Sequence, residues 1–172
     1  MIISIAAVAD AIKVQLAKST LVSHLLQLFS AADDDDLNSS GGGGGSVEKL
    51  GADLVVLLLT GDGSMEQLYG EGQGALYKET VAWLSSPKPH LQAAGALAMG
   101  NFARSDIHCI QLVHEGVAEK LLQLLERCQD DGGDDDGSGG TVGGLVGGLG
   151  KGATLQHAVL SALRNLAIPG TL

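Results

Sequence analysis

Two asparagines stand in the same apolar setting, 64 residues apart: Asn101 in "GALAMGNFARSD" and Asn165 in "SALRNLAIP". A carboxamide offers two N–H donors and one carbonyl acceptor, the pattern that a peptide backbone itself presents. Repeated at one helix position of an array, it can form rungs of a ladder that grips an extended partner. The competing role is local: the amide bonds a neighbouring backbone carbonyl or caps its own helix end. A third register position holds Leu57, so the ladder is interrupted there. Other constellations fail on their ligands. "GGLGKGA" has Gly152 where a phosphate loop needs Ser or Thr, and Leu145 where it needs its first glycine. "DDDGSGG" would start and end a calcium loop on Gly132 and Gly143. His24, His90, His108, His114 and His157 lie in different helical segments without paired ligand spacing, and no nucleophile–base pair is visible. The residues point to binding without catalysis, cofactor or metal.

The elements that must carry these residues are helices. Apolar residues make up 45% of the 172-residue chain but aromatics only 3%, so the core is built from Leu, Ala and Val. That composition suits packed helices with close backbones better than a β-sandwich. Of 26 glycines, 16 fall in two patches within residues 41–45 and 132–152. Nine of the twenty acidic residues fall in Asp33–Asp36 and the 130–136 cluster, so most of the net charge of −10 belongs to those tracts. With no basic stripe to neutralise phosphates, nucleic acid is excluded as a partner. The excess acid is compatible with a basic one. Cys109 and Cys128 lack metal spacing and read as free thiols of a reducing cytoplasm. "MIISIAAVAD" lacks the basic n-region of a secretory leader, and no stretch of roughly 20 apolar residues could span a membrane.

The chain repeats itself. "LQAAGALAMGNFA" (91–103) and "LQHAVLSALRNLA" (155–167) are identical at six of thirteen positions. Removing most of the Gly/Asp tract between them leaves a period of about 42, the size of an armadillo or HEAT unit. Residues 5–29 overlay residues 101–125 without a gap, Asp10 falling on Asp106 and "LLQL" on "LLQL". A middle copy places Asp62 on Asp106. Each unit resolves into three helices, in the best copy about 107–114, 117–128 and 154–167. Gly116 breaks the first from the second, and Asp10, Asp62 and Asp106 are expected to cap the short first helices. Val117, Leu121, Leu124 and Leu125 give a core-facing stripe. Pro87 and Pro89 stop one helix near Leu84 and start the next. The expected fold is all-α, an armadillo-type right-handed superhelix of about three three-helix repeats. Its expected divisions are a partial repeat (1–32), a disordered acidic/Gly linker (33–46), armadillo repeats (47–128), a disordered Gly/Asp insertion (129–152) and a last third helix (153–172). Both tracts fall between second and third helices, where a longer loop costs little. The chain is expected to begin inside a third helix and stop after one without capping repeats, as a fragment of a longer array would.

Third helices line the concave face of such a solenoid, which is where the two asparagines would meet a partner. Importin-type grooves pair such an asparagine with a tryptophan one turn earlier. Here those positions are Leu97 and Ser161, while Trp83 reads as core, so nuclear-signal binding is disfavoured. "AGALAMGNFARSDIHCIQLVHEGVAEKLLQLLER" and "LQHAVLSALRNLAIP" closely resemble smgGDS, the armadillo family of guanine-nucleotide dissociation stimulators of small GTPases. "KVQLAKSTLVSHLLQ" and "DLVVLLLTGDGSMEQLYGEG" agree more weakly and in order. The resemblance implies a cytoplasmic, all-helical, non-enzymatic protein that engages Rho-, Rap- and Ras-type GTPases with polybasic, prenylatable C-termini. It implies that binding promotes GDP release and chaperones the GTPase and its prenyl tail, without insertion into membrane. The family's contact motif Asn-Phe-Ala-Arg-Asn-Asp falls on Asn101, Phe102, Ala103, Arg104, Ser105 and Asp106, a serine replacing the second asparagine. The partner-binding residues so implied are Asn101, Arg104, Ser105 and Asn165. The alternative is a generic armadillo scaffold holding an extended peptide of another partner.

Overall fold

The structure, a computed structural model, describes residues 5–35, 44–130 and 151–167. Among the described residues every regular element is helical: α1 (Ile5–Ala17), α2 (Leu21–Asp35), α3 (Gly44–Leu59), α4 (Asp62–Tyr69), α5 (Ala75–Trp83), α6 (Pro89–Phe102), α7 (Asp106–His114), α8 (Val117–Asp130) and α9 (Lys151–Leu166). In sequence order these form three triplets, α1–α3, α4–α6 and α7–α9, so the all-α repeat expectation holds. The cores of both expected disordered tracts, residues 36–43 and 131–150, lie outside the described residues. The flanks of those tracts are the ends of α2 and α8 and the starts of α3 and α9.

Two compact units divide at Trp83 and Leu84. In the first, α1 packs on α4, and α2 packs on α3 and α5. Its few aromatics are placed in edge-to-face pairs at the centre: Phe29 against Trp83, centroids 4.8 Å apart, and Tyr69 against Tyr77 at 4.9 Å. Such pairs add about 0.5–1.5 kcal/mol beyond the area that they bury. Trp83 is therefore core, as the sequence predicts. The turn after α4 runs through Gly70, Glu71 and Gly72, all with positive φ.

In the second unit α6 packs chiefly on α9, and α8 and α7 close against α9 from the other sides. Pro89 stands in the first turn of α6, where its missing N–H costs nothing. The small residues of α6 are why α9 approaches so closely. Ala94, Gly95, Ala96 and Ala98 are buried, and a Cβ on Gly100 would stand 3.6 Å from the Ala162 Cα. Of the expected α8 stripe, Val117, Leu121 and Leu124 are buried, each such side chain contributing about 1.5–3 kcal/mol, while Leu125 is half-buried. Gly116 makes the α7–α8 turn at φ 76°, a left-handed conformation that favours glycine.

The capping expectation needs correction. Ser105, at φ −125° and ψ 149°, is the N-cap of α7, its Oγ accepting from the His108 N–H at 3.3 Å, while Asp106 is the first helical residue. A cap must sit in extended backbone just outside the helix, and the chain reaches that conformation one residue earlier than expected. Asp62 likewise follows an N-cap, Gly61, that makes no side-chain cap bond. Asp10 lies within α1, one turn before Lys13, whose Nζ is 3.6 Å from its Oδ1.

Candidate partner-binding surface

The second unit gathers the four predicted residues around the C-terminal ends of α6 and α9. The apolar run of α6 ends at Phe102, and the chain turns through Ala103 and Arg104 before Ser105 opens α7. Asn101 is half-buried. Its Nδ2 donates to the Leu97 carbonyl one turn earlier at 2.9 Å, and its Oδ1 accepts from Arg104 Nη2 at 2.5 Å. Because a carbonyl oxygen can only accept, these contacts fix which way the amide points. Asn101 therefore anchors to its own helix and holds the exposed guanidinium of Arg104 in one place.

Asn165 does something different. Its Nδ2 donates to the Gly100 carbonyl at 3.0 Å, a bond between α9 and α6 made at the point where Gly100 lets the helices close. The Asn165 backbone carbonyl in turn accepts from the Cys109 thiol on α7 at 3.7 Å. Burial, reinforced by the Asp106 carboxylate and opposed by a backbone hydrogen bond, pushes the Cys109 thiol up from its ordinary range. His108 is buried beside it, with Nδ1 3.1 Å from the Phe102 carbonyl. The thiol is thus a packed, protonated group and not a nucleophile.

The two asparagines are brought together, since the Asn165 amide reaches the carbonyl of the residue before Asn101. One N–H of each carboxamide is committed to a carbonyl of the chain and the Asn101 Oδ1 to Arg104, so a ladder would draw on the second N–H of each amide and on the Asn165 Oδ1. Leu97 and Ser161, the positions one turn earlier, are both exposed on their helices, and Leu57 of α3 is exposed in the first unit. Neither α6 nor α9 carries an acidic side chain, while Arg104 and Arg164 flank the asparagines. Sequence reasoning missed Gly100, whose carbonyl is the acceptor for Asn165. The available signal was its pairing with Arg164 in the repeat alignment, a glycine standing where the other copy has a long side chain. It also missed the capping role of Ser105, although a serine immediately before a helical run is a cap candidate.

No protein-family model matches the chain. It is 40% identical over 160 residues to Rap1 GTPase-GDP dissociation stimulator 1-B of Xenopus laevis, a match that covers 93% of this chain and 23% of the relative. Stimulator 1-A of the same organism matches to the same extent. The GTPase-GDP dissociation stimulator vimar of Drosophila melanogaster is 42% identical over 124 residues, 70% of this chain and 16% of that protein. The chain thus spans about a quarter of the length of the two Xenopus relatives. Identity of this extent, across the stretch that holds the Asn101–Asp106 motif and the helical triplets, decides the family. The chain belongs, as the counterpart of one segment, to the smgGDS-type GTPase-GDP dissociation stimulators.

Proposed function

We propose that the chain is a cytoplasmic binding module for small GTPases of the Rap, Rho and Ras type, promoting GDP release and chaperoning forms with polybasic, prenylatable C-termini. It acts by binding and performs no catalytic chemistry of its own. The observation that carries this reading is the 40% identity to Rap1 GTPase-GDP dissociation stimulators over 93% of the chain. Binding that favours a GTPase conformer with weak hold on nucleotide speeds GDP release, because a ligand shifts a conformational equilibrium by its differential affinity. Asn101, Arg104, Ser105 and Asn165 form the contact surface on this reading, with Arg104 the exposed charge and Asn101 its holder.

The charge pattern divides the labour. With no acid on α6 or α9, the surface around Asn101 suits the body of the GTPase. The polybasic tail is drawn instead by the two Asp-rich tracts, which carry nine acidic residues. No helix among the described residues is long and apolar enough to cross a membrane. The test is affinity capture of nucleotide-free Rap1- and Rho-type GTPases, with and without their tails, and release of fluorescent GDP. We expect binding to both forms, faster GDP release, and association that slows with salt only when the tail is present. Failure to bind either form sinks the reading.

A further inference from the structure

An α-helix ends with four carbonyls that its own N–H groups cannot reach, and in α6 these belong to Met99, Gly100, Asn101 and Phe102. Phe102 is fully buried, so its carbonyl must find a partner within the protein. Two donors serve it. The Arg104 N–H reaches it at 2.8 Å, closing a tight turn about Ala103, whose φ −76° and ψ 48° lie near those of an inverse γ-turn. His108 reaches it from α7 through ring Nδ1 at 3.1 Å, as the donor because a carbonyl can only accept. The backbone N–H of the same residue donates to Ser105 Oγ at 3.3 Å. His108, buried in the first turn of α7, thus grips the turn that carries Arg104 on both of its sides.

The first unit builds the same junction between α3 and α4. A shift of 44 residues sets Leu58 on Phe102 and Ser64 on His108. Ser64 is fully buried, and its Oγ donates to the Leu58 carbonyl. Two different side chains at one register position therefore bring a donor to the carbonyl six residues earlier. What the two junctions present differs. Thr60 stands where the second unit has Arg104, and its Oγ1 is tied down, donating to the Leu57 carbonyl and accepting from Lys13 Nζ, each at 2.7 Å. Arg104 is exposed, and its guanidinium meets the Asn101 amide. We propose that His108 is a positioning residue for the partner contact: by holding the Phe102 carbonyl it fixes the turn that sets Arg104 outward beside Asn101. This rests on Arg104 and Asn101 belonging to the GTPase-binding surface.

The test takes two readouts on the full chain. Without a partner, hydrogen exchange of the Arg104 N–H, followed by NMR, reports whether the turn stays closed. His108→Leu fills the site without a donor and should speed that exchange at least about tenfold. His108→Asn carries an N–H at the δ position, as the ring Nδ1 does, and should restore slow exchange. His108→Gln, whose N–H lies one atom further out, should not. With a tail-less, nucleotide-free Rap1-type GTPase, calorimetry should show about a fivefold loss of affinity for His108→Leu and no further loss when it is added to Arg104→Ala, since residues that act through one another are not additive. Ser64→Ala cuts the equivalent bond of the first unit and should leave affinity unchanged. Arg104 exchange indifferent to His108→Leu, or His108→Asn no better than His108→Gln, overturns the proposal. So does unchanged affinity in His108→Leu, a loss that adds fully to that of Arg104→Ala, or an equal loss from Ser64→Ala. A parent chain that binds no GTPase overturns the functional reading and this role together, whereas those other outcomes in a chain that binds overturn this role alone.

Discussion

At the scale of single residues, Asn101 and Asn165 share a register position yet hold different jobs. The Asn101 amide bonds within its own helix and to an exposed arginine, where water can replace either contact. Asn165 joins two helices through the part-buried Gly100 carbonyl, which loses its partner if the amide is removed. A part-buried acceptor left unsatisfied costs about 1–3 kcal/mol, while an exposed one costs little. Asn101→Ala should therefore leave thermal stability within about 0.5 kcal/mol of the parent and lower GTPase affinity. Asn165→Ala should cost about 1–2 kcal/mol, read as a lower denaturant midpoint. Equal stability losses would contradict these assignments. The sequence placed both asparagines on one helix position, but it could not say which amide reached another helix, because Gly100 and Ala162 are brought together only by packing.

At the scale of elements, helix boundaries follow from short-range chemistry and were largely legible. Pro89 at the start of α6, the Gly116 break and the α8 stripe stand as expected from local rules. The caps were misassigned because an aspartate and a serine side by side are both acceptable N-caps, and only the backbone dihedrals choose between them. Ser105→Ala should accordingly destabilise the second unit by about 1 kcal/mol, and Asp106→Asn by less, since the aspartate stands in the first turn of α7 and is not its cap. Gly116→Ala should cost about 1 kcal/mol because alanine is strained at φ 76°. Thermal melts of the three variants compare them directly. A larger loss for Asp106→Asn than for Ser105→Ala would restore the original cap.

At the scale of the whole molecule, the acidity and the fold are separable. α8 ends at Asp130 and α9 begins at Lys151, so twenty residues connect them. Shortening that connection to about eight residues should raise stability by only about 0.8 kcal/mol, since closure entropy grows with the logarithm of length. The same deletion, removing Asp131 and Asp134–Asp136, should slow association with a tail-bearing GTPase at low salt and leave a tail-less one unaffected. Stopped-flow association rates at two salt concentrations distinguish these outcomes. Slowing of both forms alike would place the effect on the folded surface and not on the tract.

Periodicity, low aromatic content and the 64-residue echo were enough to determine that this chain folds as tandem helical triplets, because hydrophobic spacing and helix breakers act over a few residues. The motif around Asn101 and its likeness to the dissociation stimulators were written in the sequence as well. Tertiary structure alone decided which amide ties α9 to α6 and which side chain caps α7. Those outcomes depend on distances between residues far apart in the chain, and such distances exist only once the helices have packed.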